Sequence, residues 1–280
     1  MEQKWTNIEY IESKENRKYK LLKKLSQKKY RDLNNIFIAE GEKFIKECKT
    51  ASHCIIQKSK FDYFEKKYNL DNFIKITILN DKLFSEISSQ ENSQGILFIH
   101  SKNTISLDEI KGDIVILDYV QDPGNIGTII RTLVALNYEN LILTKGSCDV
   151  YTPKAVRASM GSIFKLNIIY ATYDEIKEFI EKNSYISFAT NLAKNSIEYT
   201  NCKLNKDKNA YIFGNEGGGV SKTLLDFCNY NVIIPISDKV NSLNVSVATA
   251  VFLYKMRELE KWKRNLINLY DIYNKKISLF

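Results

Sequence analysis

The sequence predicts an α/β protein with a small front unit followed by a larger unit built on a parallel sheet. Three observations carry this. Short apolar runs alternate with segments of helical periodicity along most of the 280 residues. In the second half, runs such as "DIVILD" and "AYIFG" are apolar without alternation, the pattern of strands covered on both faces. Nine of the eleven glycines and all three prolines lie from Gly112 onward, mostly just after such runs. In open α/β sheets ligands bind at the carboxyl ends of strands, so a ligand site is expected there.

The elements follow in order. The N-terminus, "MEQKWTNIEYIESKENRKYK", has no apolar run and does not read as a secretory signal. From Lys14 to Arg31 nine of eighteen residues are Lys or Arg, and Leu21, Leu22 and Leu25 form a stripe at helical spacing. This predicts one basic amphipathic helix. Its charges are either a solvated face or a phosphate-contacting one, in which case Arg17, Lys18, Lys20, Lys24, Lys28, Lys29 and Arg31 are the contacts. "IFIAEG" reads as a strand leading into a helix over Glu40–Lys49. "HCIIQ", "IKITIL" and "GILFIH" read as strands separated by the helical pieces "KFDYFEKKY" and "NDKLFSEISSQ". Residues 1–100 therefore form the front unit, and the polar 101–112 are a linker. The second unit, 113–260, has the strands "DIVILD", "NLILT", "KLNIIY", "YISFAT", "AYIFG" and "NVIIPI". Residues 261–280 extend a last helix with Trp262, Leu266, Leu269 and Ile272 as an apolar stripe, expected to pack on the domain or on a dimer partner.

Composition narrows the function. Hydrophobic content of 44% supports a real core, and the longest apolar stretch is too short to span a bilayer, so a soluble cytoplasmic protein is expected. Five scattered cysteines and two histidines offer no zinc-ligand spacing and supply a His-centred triad poorly, so no metal is expected. A net charge of +8 favours an anionic partner, nucleic acid ahead of a membrane surface.

The densest motif is "FGNEGGGVSKT" at 213–223. Gly214 and Gly219 have the spacing of a phosphate-binding loop, but Val220 and Ser221 stand where Lys and Ser/Thr belong. The dinucleotide pattern G-x-G-x-x-G fails as well. The stretch reads as a tight strand-to-helix turn whose glycines let backbone approach a ligand, with Ser221 capping the next helix. Glu216 would repel a phosphate and suits a cationic or hydroxyl-bearing ligand. Two further constellations flank it. In "LDYVQDPGNIGTIIRTLVAL" Asn125 falls where a helix cap belongs, and Arg131 lies in an otherwise apolar helix, where it needs a carboxylate, a phosphate or a subunit interface. In "IIPISDKVNSLNVSVATA" Ser242 reads as the cap of a long helix, with Asn244 and Ser246 in its first turns.

"NIGTIIR", "GNEGGGVS" and "IPISDKVNSLNVSVATA" together resemble the three motifs of the SpoU/TrmH family of RNA ribose 2′-O-methyltransferases. "YTPKAVRASMGSIF" between them is also similar, and the first hundred residues resemble the ribosomal-protein-like substrate-binding domain of the ribosomal RNA branch. The likeness runs from about Ile11 to Glu258. It implies a SPOUT domain with a trefoil knot, S-adenosylmethionine as cofactor, RNA as substrate and a homodimer in which the arginine can act across the interface. By the same match Gly214, Ile234 and Leu243 hold the adenosine, with Thr190 a further candidate. Asn125, Arg131, Glu216, Ser242 and Asn244 position the hydroxyl and manage its proton. Four positions depart from the family pattern: Leu133 replaces a small residue, Asn137 a glycine, Ile236 a methionine and Asp238 a glycine. The resemblance implies methylation of ribosomal RNA, 23S in the preferred reading. A transfer RNA methylase, a resistance-conferring variant and a non-catalytic ribosome-assembly factor are the alternatives. The missing phosphate-loop lysine argues against a nucleotide hydrolase.

Overall fold

The computed structural model describes residues 8–48, 53–70, 73–193, 196–205 and 208–260; the 261–280 extension, with its expected stripe, lies outside them. The chain folds into two units. One holds the residues up to Asn103 together with Asp149–Lys165, the other Thr104–Cys148 together with the residues from Leu166 onward. The reading from sequence has no break within 113–260. The segment "YTPKAVRASMGSIF" nevertheless belongs with the first unit because its aromatics complete that core: the Tyr151 and Phe164 rings lie 4.8 and 5.7 Å from the Phe37 ring.

In chain order the first unit begins with β1 (Ile8–Ile11), α1 (Arg17–Lys24), α2 (Lys28–Asn34), β2 (Ile36–Glu40) and α3 (Ile45–Cys48). It continues with β3 (His53–Gln57), α4 (Phe61–Lys67), β4 (Lys75–Leu79), α5 (Asp81–Ile87) and β5 (Ile96–Ser101). The five strands form one sheet in the order β1-β4-β3-β5-β2, parallel among β1, β4 and β3 and antiparallel at β5 and β2. Tyr19, Leu22 and Leu25 pack on Ile11, Leu79, Phe84 and Leu97, each large side chain contributing about 1.5–3 kcal/mol by leaving water.

Three points differ from the sequence reading here. The Lys14–Arg31 stretch is two helices, not one. Arg31, 3% exposed, turns back and donates Nη1 hydrogen bonds to the carbonyls of Leu25 (2.8 Å) and Ser26 (2.7 Å), groups that a continuous helix would occupy. Strand β1 was also not expected; it is short, and pairing with β4 rather than its own pattern makes it a strand. Glu40 ends β2 instead of opening a helix. Its buried carboxylate accepts hydrogen bonds from the Ser89 backbone N–H and the Ser88, Ser89 and Ser93 hydroxyls.

Onward from the linker come β6 (Ile114–Asp118), α6 (Pro123–Ala135), β7 (Asn140–Thr144), α7 (Pro153–Ala158, in the first unit), β8 (Asn167–Ala171) and α8 (Tyr173–Lys182). Then follow β9 (Ile186–Thr190), β10 (Ile197–Glu198), β11 (Asn209–Gly214), α9 (Lys222–Leu225), β12 (Tyr230–Ile233) and a final helix α10 over residues 245–260. The second unit's seven strands are all parallel, in the order β10-β12-β9-β11-β6-β7-β8. Its core joins Ile114, Ile116, Ile142, Ala210 and Ile212 of the sheet to Ile176, Phe179 and Ile180 of α8. Asn137, which replaces a glycine among the four departures, has φ +56°, a left-handed helix end that Asn tolerates.

No helix among the described residues is long and apolar enough to cross a membrane. Nor do the described residues place three His, Cys, Asp or Glu side chains together to hold a metal ion.

Candidate active site

The site gathers at the carboxyl ends of β6, β9, β11 and β12. Gly214 pairs with Asp118, so β11 and β6 end at the same level and hand their loops to the same edge. A cleft of about 620 Å³ opens there, within the ~300–1,000 Å³ usual for small-molecule sites. Thr190, Gly214, Ile234 and Leu243, the four residues expected to hold a cofactor, all line it, as do Glu216 and Ser242. Ile236, one of the departures from the family pattern, lines it too.

The glycine-rich turn is a closed loop. Asn215 and Gly219 exchange backbone hydrogen bonds of 3.2 and 3.1 Å, and the Asn215 Oδ1 accepts from the backbone N–H groups of Gly217 (2.9 Å) and Gly218 (2.6 Å). Gly214 is demanded by this closure rather than by a ligand. A Cβ there would stand 1.8 Å from the Gly219 carbonyl carbon and 2.1 Å from Val220 N. Ser221 opens α9 without a side-chain cap. Its backbone N–H donates instead to Asp118 Oδ2 at 2.7 Å.

Asp118 was missed from the sequence, although an acid closing an apolar strand was the available signal. It is 1% exposed, and its Oδ1 also accepts from Thr144 Oγ1 (3.2 Å) and Tyr173 OH (3.0 Å). Burial, and then the Asp118 carboxylate, raise the Tyr173 hydroxyl above its ordinary pKa, so it stays a donor. One buried carboxylate thereby fixes the exits of three strands relative to the glycine turn.

Three of the five expected catalytic side chains are joined in series. The Asn244 Oδ1 accepts from the backbone N–H of Ser246 at 2.9 Å and from its hydroxyl at 2.6 Å. A backbone N–H can only donate, so the Asn244 amide is oriented with its NH₂ outward. That NH₂ donates to Asn125 Oδ1 at 3.0 Å, and the Asn125 NH₂ donates to Glu216 Oε1 at 2.6 Å. The order of donors and acceptors requires an acceptor at position 216, which a carboxylate supplies. The caps are accordingly not where the sequence put them. Asp122, not Asn125, caps α6 by accepting from Asn125 N at 2.8 Å, and Asn244, not Ser242, caps α10. Ser242 stays exposed on the cleft rim.

Helices α6 and α10 lie side by side, tied at both ends. Asn125 and Asn244 join their starts. At the far end Arg257 donates to the carbonyls of Leu136 (2.8 Å) and Asn137 (3.0 Å), pairs with Glu260 at 2.6 Å and lies 3.7 Å over the Tyr138 ring.

Arg131 is not brought to this series. Six residues beyond Asn125, it is turned about 240° around the helix. It is exposed, and its side chain makes no hydrogen bond or ion pair with another described residue.

The candidate RNA contacts also separate. Arg17 and Lys29 are exposed without an ion-pair partner among the described residues. Lys18 pairs with Glu9 (2.6 Å), Lys20 with Glu15 (2.5 Å) and Lys28 with Asp32 (2.5 Å), while Lys24 lies over the Tyr30 ring. All six keep their charge at the surface. Arg31 does not belong with them, because its guanidinium is buried against Asp149 at 2.5 Å.

A parallel-sheet unit with this strand-end cleft, preceded by a small mixed-sheet unit, matches one class of protein. Residues 113–254 match the SpoU rRNA Methylase family and residues 16–97 an MRM3-like substrate binding domain. The chain belongs to the SpoU rRNA methylase family. It is 30% identical, over 89% of its length and 100% of the relative's, to the 23S rRNA (guanosine(2553)-2′-O)-methyltransferase RlmP of Bacillus subtilis. It resembles the AdoMet-bound rRNA methyltransferase from Sinorhizobium meliloti with a TM-score of 0.78 at 28% identity, covering 90% of this chain and 98% of that one. The SpoU methyltransferase AviRb from Streptomyces viridochromogenes shares the fold, with a TM-score of 0.75 at 22% identity over 87% of this chain and 98% of that one.

Proposed function

We propose that this chain transfers a methyl group from S-adenosylmethionine to a ribose 2′-hydroxyl of RNA, with 23S ribosomal RNA as the substrate. The observation that carries the reading is the hydrogen-bonded series Glu216–Asn125–Asn244, whose Glu216 lines the strand-end cleft. The family membership and the RlmP relative support the substrate class. A basic front unit with unpaired Arg17 and Lys29 supports an RNA partner. The cytoplasm is the compartment that goes with that substrate.

The cleft suits the cofactor. Gly214 and the turn up to Gly219 present backbone to it, while Ile234 and Leu243 supply apolar walls for a nucleoside. When bound, the cofactor supplies a sulfonium-activated methyl group, so the chain needs only to place a hydroxyl in line and handle its proton. Glu216 Oε1 is taken by Asn125; Oε2 makes no hydrogen bond to another described residue and can accept from a ribose hydroxyl. The asparagines hold that carboxylate in one orientation. A guanidinium is a fixed cation that offers donors and no acceptor, so the part of Arg131 is to stabilise developing alkoxide charge rather than to act as a base.

A homodimer is part of this reading. Val247, Val251 and Tyr254 form a stripe on α10 that is 48, 38 and 59% exposed, and Arg131 is exposed on α6. A second copy covering that stripe would take its apolar surface out of water. The family's trefoil knot also belongs to the reading, supported by Thr190, Gly214 and Ile234 meeting at one cleft from three strand exits.

The test is methyl transfer from labelled S-adenosylmethionine to 23S ribosomal RNA, followed by digestion to nucleosides. Label on a ribose 2′-oxygen is expected; label on a base would refute the reading.

A further inference from the structure

We propose that Tyr119 is a stacking platform for an unpaired base of the RNA at the methyl-acceptor site. The inference rests on the RNA-methylating reading above and goes beyond it, since neither the motifs nor the series of catalytic side chains uses this residue.

Tyr119 has φ +55°. A bulky side chain in the left-handed region is a genuine outlier, and such strain persists only where the surroundings enforce it. Here they do. The Tyr119 backbone N–H donates to Thr144 Oγ1 at 2.8 Å, and Thr144 donates on to the buried Asp118. The ring lies against Gly146, where a Cβ would come within 2.6 Å of Tyr119 Cε2. The Gly146 loop is in turn held by Gln121 Nε2, which donates to the Gly146 carbonyl at 2.5 Å. A glycine seat and a tethered loop thus fix the ring from one side, yet the residue remains 50% exposed.

Fold stability does not account for this arrangement. Asn or Gly would take the same φ with less strain, and half of the ring's surface stays in water. Position supplies a reason. Gly214 pairs with Asp118, so Tyr119 and Asn215 leave neighbouring strands at one level, and Glu216 is the next residue after Asn215. Three residues past Tyr119, Asp122 caps the helix that carries Asn125. A rigid aromatic face therefore leaves the sheet at the same strand-end level as the turn that carries Glu216, the edge at which an acceptor ribose must be placed. Single-stranded RNA bases are held by stacking on such faces, and stacking tolerates any base.

The full-length protein, with transcribed 23S ribosomal RNA, tests the idea through steady-state methyl transfer, S-adenosylhomocysteine binding and thermal melting. Tyr119→Asn suits the left-handed backbone and removes only the ring. It is expected to raise KM for RNA by about tenfold or more, with cofactor affinity unchanged and Tm no lower than wild type. Tyr119→Phe is expected to restore the wild-type KM. An unchanged KM for RNA in Tyr119→Asn overturns the proposal, as does an equal loss of cofactor affinity, which would make Tyr119 a support for the cleft. If the wild-type chain itself moves no methyl group to ribose, the broader functional reading has failed, and that result is distinct from either of these.

Discussion

Gly214→Ala puts the smallest possible side chain into the closed turn. The new Cβ would sit 1.8 Å from the carbonyl carbon of Gly219 and 2.1 Å from both its oxygen and Val220 N. Carbon atoms rest at about 3.5 Å or more, so the return limb of the turn must move roughly 1.7 Å. All three clashing atoms are backbone, so no rotamer change relieves them. Overpacking of this kind costs about 1–3 kcal/mol, a fall in Tm of a few degrees for a chain of this size at roughly 2–4 °C per kcal/mol. The functional loss should exceed the loss of stability, because the displaced limb is a wall of the cleft and the neighbouring Ser221 N–H is the one Asp118 holds. Titration calorimetry with S-adenosylhomocysteine and a melting scan read the two effects separately. Gly217→Ala is the control for stability: its Cβ meets only Asn215 Oδ1, at 3.7 Å, so its stability should stay within about 0.5 kcal/mol of wild type, the range of a neutral surface change. Wild-type cofactor affinity in Gly214→Ala would show that closure of the turn does not shape the cleft, and the reasoning would fail.

Four other outcomes follow from the same geometry. Asn125→Asp sets a second carboxylate against Glu216 across the 2.6 Å contact; kcat should fall at pH 8 and partly recover toward pH 6 as the pair takes up a proton, whereas Asn125→Ala should stay low at every pH. Arg131→Ala should abolish methyl transfer while calorimetric cofactor binding persists, since Arg131 lies away from the cleft-lining residues. Arg31→Met removes the buried ion pair with Asp149 and should destabilise by about 3–5 kcal/mol in a denaturant melt, whereas Arg17→Ala should weaken RNA binding and its salt dependence without changing stability. His53 is bonded to Thr77 Oγ1, and burial, with Lys75 secondary, lowers its pKa to about 4. The folded state thus disfavours the charged ring: its contribution is complete above pH 6.5 and is lost as pH falls toward 4, by at most about 3 kcal/mol. His53→Gln should flatten that part of the pH–stability curve.

Much of the architecture was legible before any coordinates. Unbroken apolar runs such as "AYIFG" can be satisfied only by burial on both faces, so the parallel sheet followed from residue type. The position of "FGNEGGGVSKT" after such a run placed a backbone turn at a strand end. β1 and the break before Lys28 were illegible for a common reason. Each depends on a partner distant in sequence or on a side chain folding back, β4 in the one case and Arg31 in the other. Likewise, nothing local distinguishes Arg31 from Lys29, yet Asp149, 118 positions away, takes one out of the basic face.

The candidate site divides along the same line. Which residue types serve it, and that they sit at strand ends, was determined by the sequence alone, because strand ends and helix starts are local features set by propensity and turn chemistry. Tertiary structure decided their chemistry. Glu216 and Asn244 stand 91 and 119 positions from Asn125 along the chain, and the three become one oriented series only when β6 and β11 end in register. The same packing turns Asp118 from the last residue of a strand into the anchor of the glycine turn. It also leaves Arg131 facing water. Hydrogen-bond direction and burial depend on what surrounds a group in space, and one-dimensional spacing carries no record of that.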